Sequence, residues 1–430
     1  MNSGPAFDVV VVGGGPAGIA AAVCAAENRL QVALVDENAF LGGQIWRRAA
    51  VDEWLPEPAK WVERLRKANV SVLCRTRVVQ RLSDHALLVE NDDEHGELHY
   101  SKLIIATGAR ERFLPFPGWT LPNVVGVGGL QAFVKSGLPI VNKRVVVAGS
   151  GPLLLAVAAF LRKKGAEIPL ICEQASWRSL SRFGAALLYQ PVKLIQAFTL
   201  HRELAGIPFT ANSWVLAAKG KTALESVAIL RHGNVENVHC DYLACGFHLV
   251  PNVELAMLFG CQMEKGYVQV DNLQQTSVST IFCVGEPTGI GGVEMAVVQG
   301  EIAGFVVAGR IEQAKQLASK RKRLTKFTLA MERTFRLRDE LRGLVKEDTF
   351  VCRCEDVPHR RLNAQHSWRQ AKLQTRCGMG ACQGRVCGSA AAFLYDWSFD
   401  SVRPPIFPAR VESLATLDSV SEGVPASAQR

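Results

Sequence analysis

Apolar residues gather in short unbroken runs separated by glycine-rich turns, and the runs recur in a fixed order. Val9 to Val12 form a continuous apolar run, as a strand buried on both faces requires. A glycine turn follows, then the small, helix-compatible stretch Ile19 to Ala26, then a second apolar run in "QVALV". Strand, glycine turn, helix and strand in this order predict a βαβ nucleotide-binding unit. The order returns from Arg144 in "RVVVAGSGPLLLAVAAFLRKKGAEIPLICEQA". Two more runs, "LIIATGAR" from Leu103 and "TIFCVGEPTGIGGVEMAVVQGEIAG" from Thr280, each predict a buried strand ending in a small-residue turn, the second continuing into a small-residue helix. The fold class is therefore α/β, with Rossmann-like nucleotide-binding units.

The turns carry the first candidate chemistry. Gly13 permits the tight turn, Gly15 lets the backbone approach a pyrophosphate, and Gly18 lets helix and strand pack closely. The helix that follows offers free N–H groups and a partial positive charge to phosphates. Asp36, at the end of the second strand, is placed to accept hydrogen bonds from a ribose, and Gln44 ends the same "FLGGQ" stretch. Thr107 and Gly108, with Gly285 and Glu286, supply the backbone and the one carboxylate that a ribityl chain needs, so the first site is read as FAD-binding. In the second unit Gly149 and Gly151 fit the pattern, but Leu154 takes the third glycine's place. Glu173 suits a free ribose 2′-hydroxyl better than a 2′-phosphate, favouring NAD or ATP/ADP over NADP; an empty or repurposed pocket is the competing reading.

Composition narrows the setting. At 430 residues the chain exceeds one core, so two or three domains are expected. No uninterrupted apolar run approaches the roughly 18 residues a membrane helix needs, and the start "MNSGPAFDVVVVGGG" has no signal-peptide pattern, so a soluble cytoplasmic protein is expected, peripheral contact with the inner membrane being compatible. The net charge of +9 is concentrated in 310–346, read first as a solvated basic helix face and second as a docking site for an acidic protein or anionic lipid. No nucleic-acid recognition module accompanies it.

Cysteine usage is uneven. Seven thiols (Cys24, Cys74, Cys172, Cys240, Cys245, Cys261, Cys283) are scattered, mostly in apolar stretches, and are expected to be buried and inert. No C-x-x-C pair occurs before residue 350, and the one C-x-x-x-x-C spacing there, Cys240 and Cys245, falls among the scattered thiols expected to be buried and inert, which argues against dithiol chemistry on a flavin. The other five (Cys352, Cys354, Cys377, Cys382, Cys387) fall within 36 residues, and clustering of this kind in a cytoplasmic chain argues for metal. Four thiolates close either a zinc site or an iron–sulfur cluster; the C-x-x-C knuckles usual for zinc are missing. The choice between Cys377 with Cys382 and Cys382 with Cys387 stays open, because the spacing is identical.

These motifs resemble known families. The two nucleotide units with the Ala-Thr-Gly and Gly-Glu segments resemble the flavoprotein disulfide reductase superfamily, in which a second nucleotide domain is inserted into the FAD domain; Glu286 stands where that family usually has Asp. "CRCE" and "TRCGMGACQGRVC" resemble the helical [2Fe–2S] domain of bacterioferritin-associated ferredoxin, in the version found at the C-terminus of the anaerobic glycerol-3-phosphate dehydrogenase flavoprotein. That resemblance implies Cys352, Cys354, Cys382 and Cys387 as ligands, Cys377 as a spare thiol, and Gly378, Gly380 and Gly384 as openings for backbone N–H groups toward sulfide.

The whole order, with "VRPPIFPARVESLA" closing it, is similar to the larger, FAD/NAD(P)-binding subunit of bacterial D-hydroxyproline dehydrogenase, opine oxidase, dye-linked proline dehydrogenase and hydrogen cyanide synthase. The implied domains are 1–118 and 240–310 for FAD, 119–239 for the second nucleotide, a basic helical linker 311–346, a [2Fe–2S] domain 347–400 and a tail 401–430. The implied function is that of an FAD-dependent oxidoreductase component that passes electrons from a partner substrate-oxidising FAD subunit to an acceptor, with a small ferredoxin-like subunit completing the set and FMN admitted at a subunit interface. The alternative is a self-contained NAD(P)H-dependent reductase feeding its own cluster and a ferredoxin. No substrate-oxidising constellation stands out; His248, which could face the flavin, is read first as a structural histidine, and Arg110 and Arg112, which could hold a carboxylate or phosphate, first as surface or interdomain residues.

Overall fold

The computed structural model describes residues 6–46, 56–187, 191–398 and 402–415. The chain divides into two compact units, Met1–Ala109 with Pro251–Thr325 and Ser401–Arg430, and Arg110–Val250 with Lys326–Asp400.

In the first unit the strand Ala6–Val12 runs parallel to Val32–Val35 on one side and to His95–Ile105 on the other. Val70–Leu73 and Ile281–Cys283 extend the sheet in parallel, while Ala86–Glu90 and Arg77–Ser83 add an antiparallel edge. The unbroken valine run is explained by burial on both faces. Val9 and Val11 pack with the helix residues Ile19 to Ala25, and Val10 and Val12 pack on the opposite face with Leu87, Leu98 and Phe259. The late "VRPPIFPARVESLA" segment returns to this unit: Ile406 is buried in the second layer, and Ser413 Oγ donates to Glu90 Oε2 at 2.8 Å. Of the expected tail 401–430, residue 401 and residues 416–430 lie outside the described residues.

The helix Pro16–Glu27 is alanine-rich and buried along most of its length. Its small surface lets the helix Gly292–Val307 approach at backbone distance: a Cβ on Gly300 would lie 2.2 Å from the Ala17 carbonyl oxygen, and one on Gly304 2.6 Å from that of Ala21. This pairing carries the segment after Cys283 to the first glycine turn.

The second unit holds a five-stranded parallel sheet in the order Phe209–Ala211, Ile171–Glu173, Val145–Ser150, Tyr242–Phe247 and Val124–Gly126. One face packs on the helix Leu153–Lys163; the other packs Val146, Ala148 and Leu243 against Trp214, Phe116, Leu341 and Leu344. Leu154 is fully buried, and its methyl lies where a Cβ on Gly246 would come within 2.9 Å. The space lost by replacing a helix glycine is thus recovered by a glycine on the neighbouring strand. The same unit contains the cysteine-rich segment, with a short antiparallel pair, Phe350–Cys352 and Val357–Pro358, and the helices His359–Asn363, Trp368–Thr375 and Cys387–Tyr395.

The basic stretch forms the helix Ala318–Phe335, on which Lys320, Lys322, Arg323 and Lys326 are exposed. Among the described residues no helix is long and apolar enough to cross a membrane.

Gly300→Ala would drive a methyl into a backbone carbonyl that has no rotamer to move. The expected loss is about 1–3 kcal/mol in stability of the first unit, measured by urea unfolding followed through its tryptophans. An unchanged midpoint would show that the two helices slide apart freely.

Candidate functional site

The first glycine turn is set by the strand–helix crossing. A Cβ on Gly18 would sit 1.8 Å from the Gly13 carbonyl, so only glycine permits the helix to start there. Asp36 is buried; its Oδ2 accepts from the Gly14 N–H at 2.6 Å, and its Oδ1 accepts from the Asn38 backbone and side-chain nitrogens, each at 2.7 Å. Gly13, Gly15 and Pro16 remain half-exposed, and Gln44 is exposed on the short helix Gly43–Trp46 beside the turn. The Ala-Thr-Gly turn is tied from far along the chain: Thr107 Oγ1 donates to the Asn252 carbonyl at 2.6 Å, and Asn252 Nδ2 donates back to the Thr107 carbonyl at 2.9 Å.

Gly285 has φ +76° and opens the 3-10 turn Glu286–Thr288. Gln299 fixes this turn, accepting from the Gly285 N–H at 2.8 Å and donating to Thr288 Oγ1 at 3.0 Å. A Cβ on Gly285 would come 3.1 Å from that of Ala17, so the late turn abuts the first helix N-terminus. Burial raises the Glu286 carboxyl to about 7, and it has no partner among the described residues. Open space surrounds Gly108, Gly289 and Gly292, and a Cβ on Gly15 would meet nothing nearer than 3.9 Å. An unpartnered carboxylate, bare glycine backbone and a helix N-terminus together form a cradle that fits FAD.

The second turn differs. Gly149, Ser150 and Gly151 are all buried. Both Glu173 oxygens are engaged: Oε2 accepts from the Gly151 N–H at 2.7 Å and Oε1 from the Ala175 N–H at 2.8 Å. Burial outweighs these bonds and raises its carboxyl to about 7. His248 Nε2 lies 2.6 Å from the Phe335 carbonyl, a structural contact, and Arg110 Nε donates to the Arg385 carbonyl at 3.2 Å beside the cysteine segment.

The five late thiols come together. The sulfurs of Cys352, Cys377 and Cys387, all buried, lie within 4.8 Å of one another. Cys382 is in contact with both Cys387 and Cys354. Cys377, set aside by the resemblance, is therefore inside the group, while Cys354 is the exposed member. Thiol hydrogen bonds from Cys377 and Cys387 lower Cys352 to about 2, and a bond from Cys387 lowers Cys382 to about 5. The donors move the other way: bonding to Cys352 holds Cys387 far above its usual range and pushes Cys377 to about 12. Backbone N–H groups of Gly378 and Glu355 point to Cys352, and those of Val386 and Gly384 to Cys382. Gly380 serves packing, since a Cβ there would meet Cys354 Cβ at 2.4 Å. Five clustered thiols, two of them held as thiolates by N–H donors, fit a thiolate-ligated metal or iron–sulfur centre.

The other seven cysteines lie apart, six of them buried and Cys74 partly buried. Asn252, Gln299 and Ser150 were not singled out by the motifs; they act through side-chain bonds to distant backbone, which local spacing does not encode.

The family model for pyridine nucleotide-disulphide oxidoreductases matches residues 7–309. The chain is 31% identical to hydrogen cyanide synthase subunit HcnB of Pseudomonas aeruginosa, over 88% of this chain and 90% of that protein. It is 30% identical to a subunit of the opine oxidase of Rhizobium meliloti, over 96% and 99%. Among solved structures, L-proline dehydrogenase from P. horikoshii shares the fold with a TM-score of 0.66 at 18% identity, covering 95% of this chain and 79% of that one.

Gln at position 173 cannot titrate. Because the Glu173 carboxyl is raised from an ordinary 4.5 to about 7, wild-type stability conferred by the neutral form is complete below about 4.5 and is lost as pH rises through 7. Denaturation of wild type and Glu173→Gln across that window should show the difference moving in favour of the variant as pH rises. A constant difference would mean that Glu173 titrates in its ordinary range.

Proposed function

Because the chain belongs to the pyridine nucleotide-disulphide oxidoreductase family, we propose that it is the electron-transferring FAD and iron–sulfur subunit of a heteromeric amino-acid dehydrogenase of the hydroxyproline, proline or opine type. The observation that carries the reading is the five-thiol cluster, in a chain with no C-x-x-C pair before residue 350 and whose one C-x-x-x-x-C pair, Cys240 and Cys245, is buried. The names of the relatives, one a subunit of a synthase and the other a subunit of an oxidase, support a partner that binds the substrate. When bound, FAD supplies a two-electron acceptor and a [2Fe–2S] centre supplies one-electron steps.

In this reading residues 1–118 and 240–310 bind FAD, 119–239 form the second nucleotide domain, 311–346 link, and 347–400 hold the cluster. Gly13 and Gly15 with the helix N-terminus face the pyrophosphate, Gly18 lets that helix pack on the strand, Asp36 holds the turn and faces the adenosine ribose, and Gln44, Thr107, Gly108, Gly285 and Glu286 line the remainder. Cys352, Cys354, Cys382 and Cys387 ligate the metal, and Cys377 is a spare thiol beside them. The partners are a separate substrate-oxidising FAD subunit and a small ferredoxin-like subunit.

Iron, acid-labile sulfide and the electron paramagnetic resonance of dithionite-reduced protein test the cluster. Cys352→Ser, Cys382→Ser and Cys387→Ser should each lose most of the iron and sulfide, while Cys377→Ser keeps both. Zinc without sulfide would overturn the cluster, and iron retained in Cys382→Ser but lost in Cys377→Ser would overturn the ligand set.

Turnover separates the subunit role from self-sufficiency. The purified chain should reduce no dye with proline, hydroxyproline or an opine, and should do so once combined with its substrate-oxidising partner. Turnover by the chain alone would sink this reading.

A further inference from the structure

The glycine turn of the second nucleotide motif is held by another part of its own unit. Ser150 Oγ donates to the Phe335 carbonyl at 2.9 Å. Gln174 Nε2 donates to Ser150 Oγ at 2.8 Å and to the Arg336 carbonyl at 3.2 Å, and His248 Nε2 meets the Phe335 carbonyl at 2.6 Å. The Phe335 ring stacks edge-on against Phe183 with centroids 5.2 Å apart, and its nearest atom would be 4.0 Å from a Cβ on Gly151. Phe335 is 5% exposed. Just beyond, the Arg338 guanidinium lies 5.0 Å over the Trp214 ring and hydrogen-bonds the Asn212 side chain.

Phe335 is the last residue of the 18-residue helix Ala318–Phe335. The final carbonyls of a helix have no partner within it, and they carry the negative end of its dipole. Here the donors that satisfy them come from the second nucleotide motif. A dinucleotide needs the reverse at this place: its pyrophosphate lies against the glycine turn and is drawn by positive potential. Carbonyl oxygens and a phenyl ring instead cover the turn. The contrast with the first motif lies at the two outer glycines, since Gly13 and Gly15 are half-exposed where Gly149 and Gly151 are buried; Gly14 and Ser150 are both buried, and Pro152 is exposed.

We propose that residues 335–338 form a strap that closes the second nucleotide motif to dinucleotides, so that electrons do not enter this chain as a hydride from a nicotinamide bound there. The strap goes beyond the electron-carrier reading and does not depend on which metal the thiols bind. It leaves a Rossmann framework that serves as the socket for a helix end.

Equilibrium titration of the anaerobic holoprotein with NADH and, separately, with ADP tests it. Wild type should show no saturable binding of either at millimolar concentration and no bleaching by NADH. The double variant Phe335→Gly/Gln174→Ala, with its flavin retained as the check of folding, should bind ADP at least about tenfold more tightly than wild type. Hydrogen exchange on wild type gives a second readout that needs no variant: the amides of Gly149 to Gly151 should be slow and unaffected by ADP. Micromolar binding by wild type, or a double variant that binds no better, would overturn the strap. Dithionite bleaching in the same preparation reports on the electron-carrying centres separately, so failure of the strap and failure of the carrier reading give different results.

Discussion

The contact on which the first site depends is the one between two helices with almost no side chains between them. Gly300 and Gly304 lie against the backbone of Ala17 and Ala21, and the surrounding residues are mostly alanine. Packing at this distance converts helix surface into dispersion contact that larger side chains would hold apart. Its consequence is positional. The strand Ile281–Cys283 joins the sheet beside His95–Ile105, and the next turn arrives at the N-terminus of a helix some 270 residues earlier in the chain. A site with glycine backbone on one wall and a carboxylate on the other is assembled from two distant stretches of sequence, with the second unit's chain inserted between them.

The second motif obeys the same need for close approach by a different route. Leu154 fills the place of a helix glycine, and Gly246 on the facing strand makes room for it. The shape of the unit survives the exchange. What changes is the polar face of the turn, where Ser150 stands in the position corresponding to Gly14. A hydroxyl gives this turn a donor that bare glycine lacks, and the donor is directed at a helix end. Two motifs nearly alike in sequence thus present opposite surfaces, one open backbone and one occupied hydroxyl.

The runs and glycine turns were legible because each needs only neighbouring residues: a buried parallel strand must be apolar throughout, and a strand-to-helix turn must be small. The ties that orient those elements were not. Thr107 with Asn252, and Ser150 with Phe335, join side chain to backbone across 145 and 185 residues, and no periodicity records such a pair. Cys377 shows a different limit. Its spacing to Cys382 equals that of Cys382 to Cys387, so sequence offers two equivalent pairs, and only the fold places its sulfur with those of Cys352 and Cys387.

The glycines around those sulfurs follow from electrostatics. Burying several thiolates in one place is costly unless donors face them. The donors here are backbone N–H groups, from Gly378 and Glu355 to Cys352 and from Val386 and Gly384 to Cys382. Such donors reach sulfur only where the backbone can fold around it, which Gly378 and Gly384 allow with φ of +80°. The same bonds that make thiolates tolerable without metal would hold charge on the sulfurs of a bound centre and set its potential. For the proposed centre, ligand preorganisation and redox tuning would therefore be one property of this loop, and a larger residue at either glycine would alter both together.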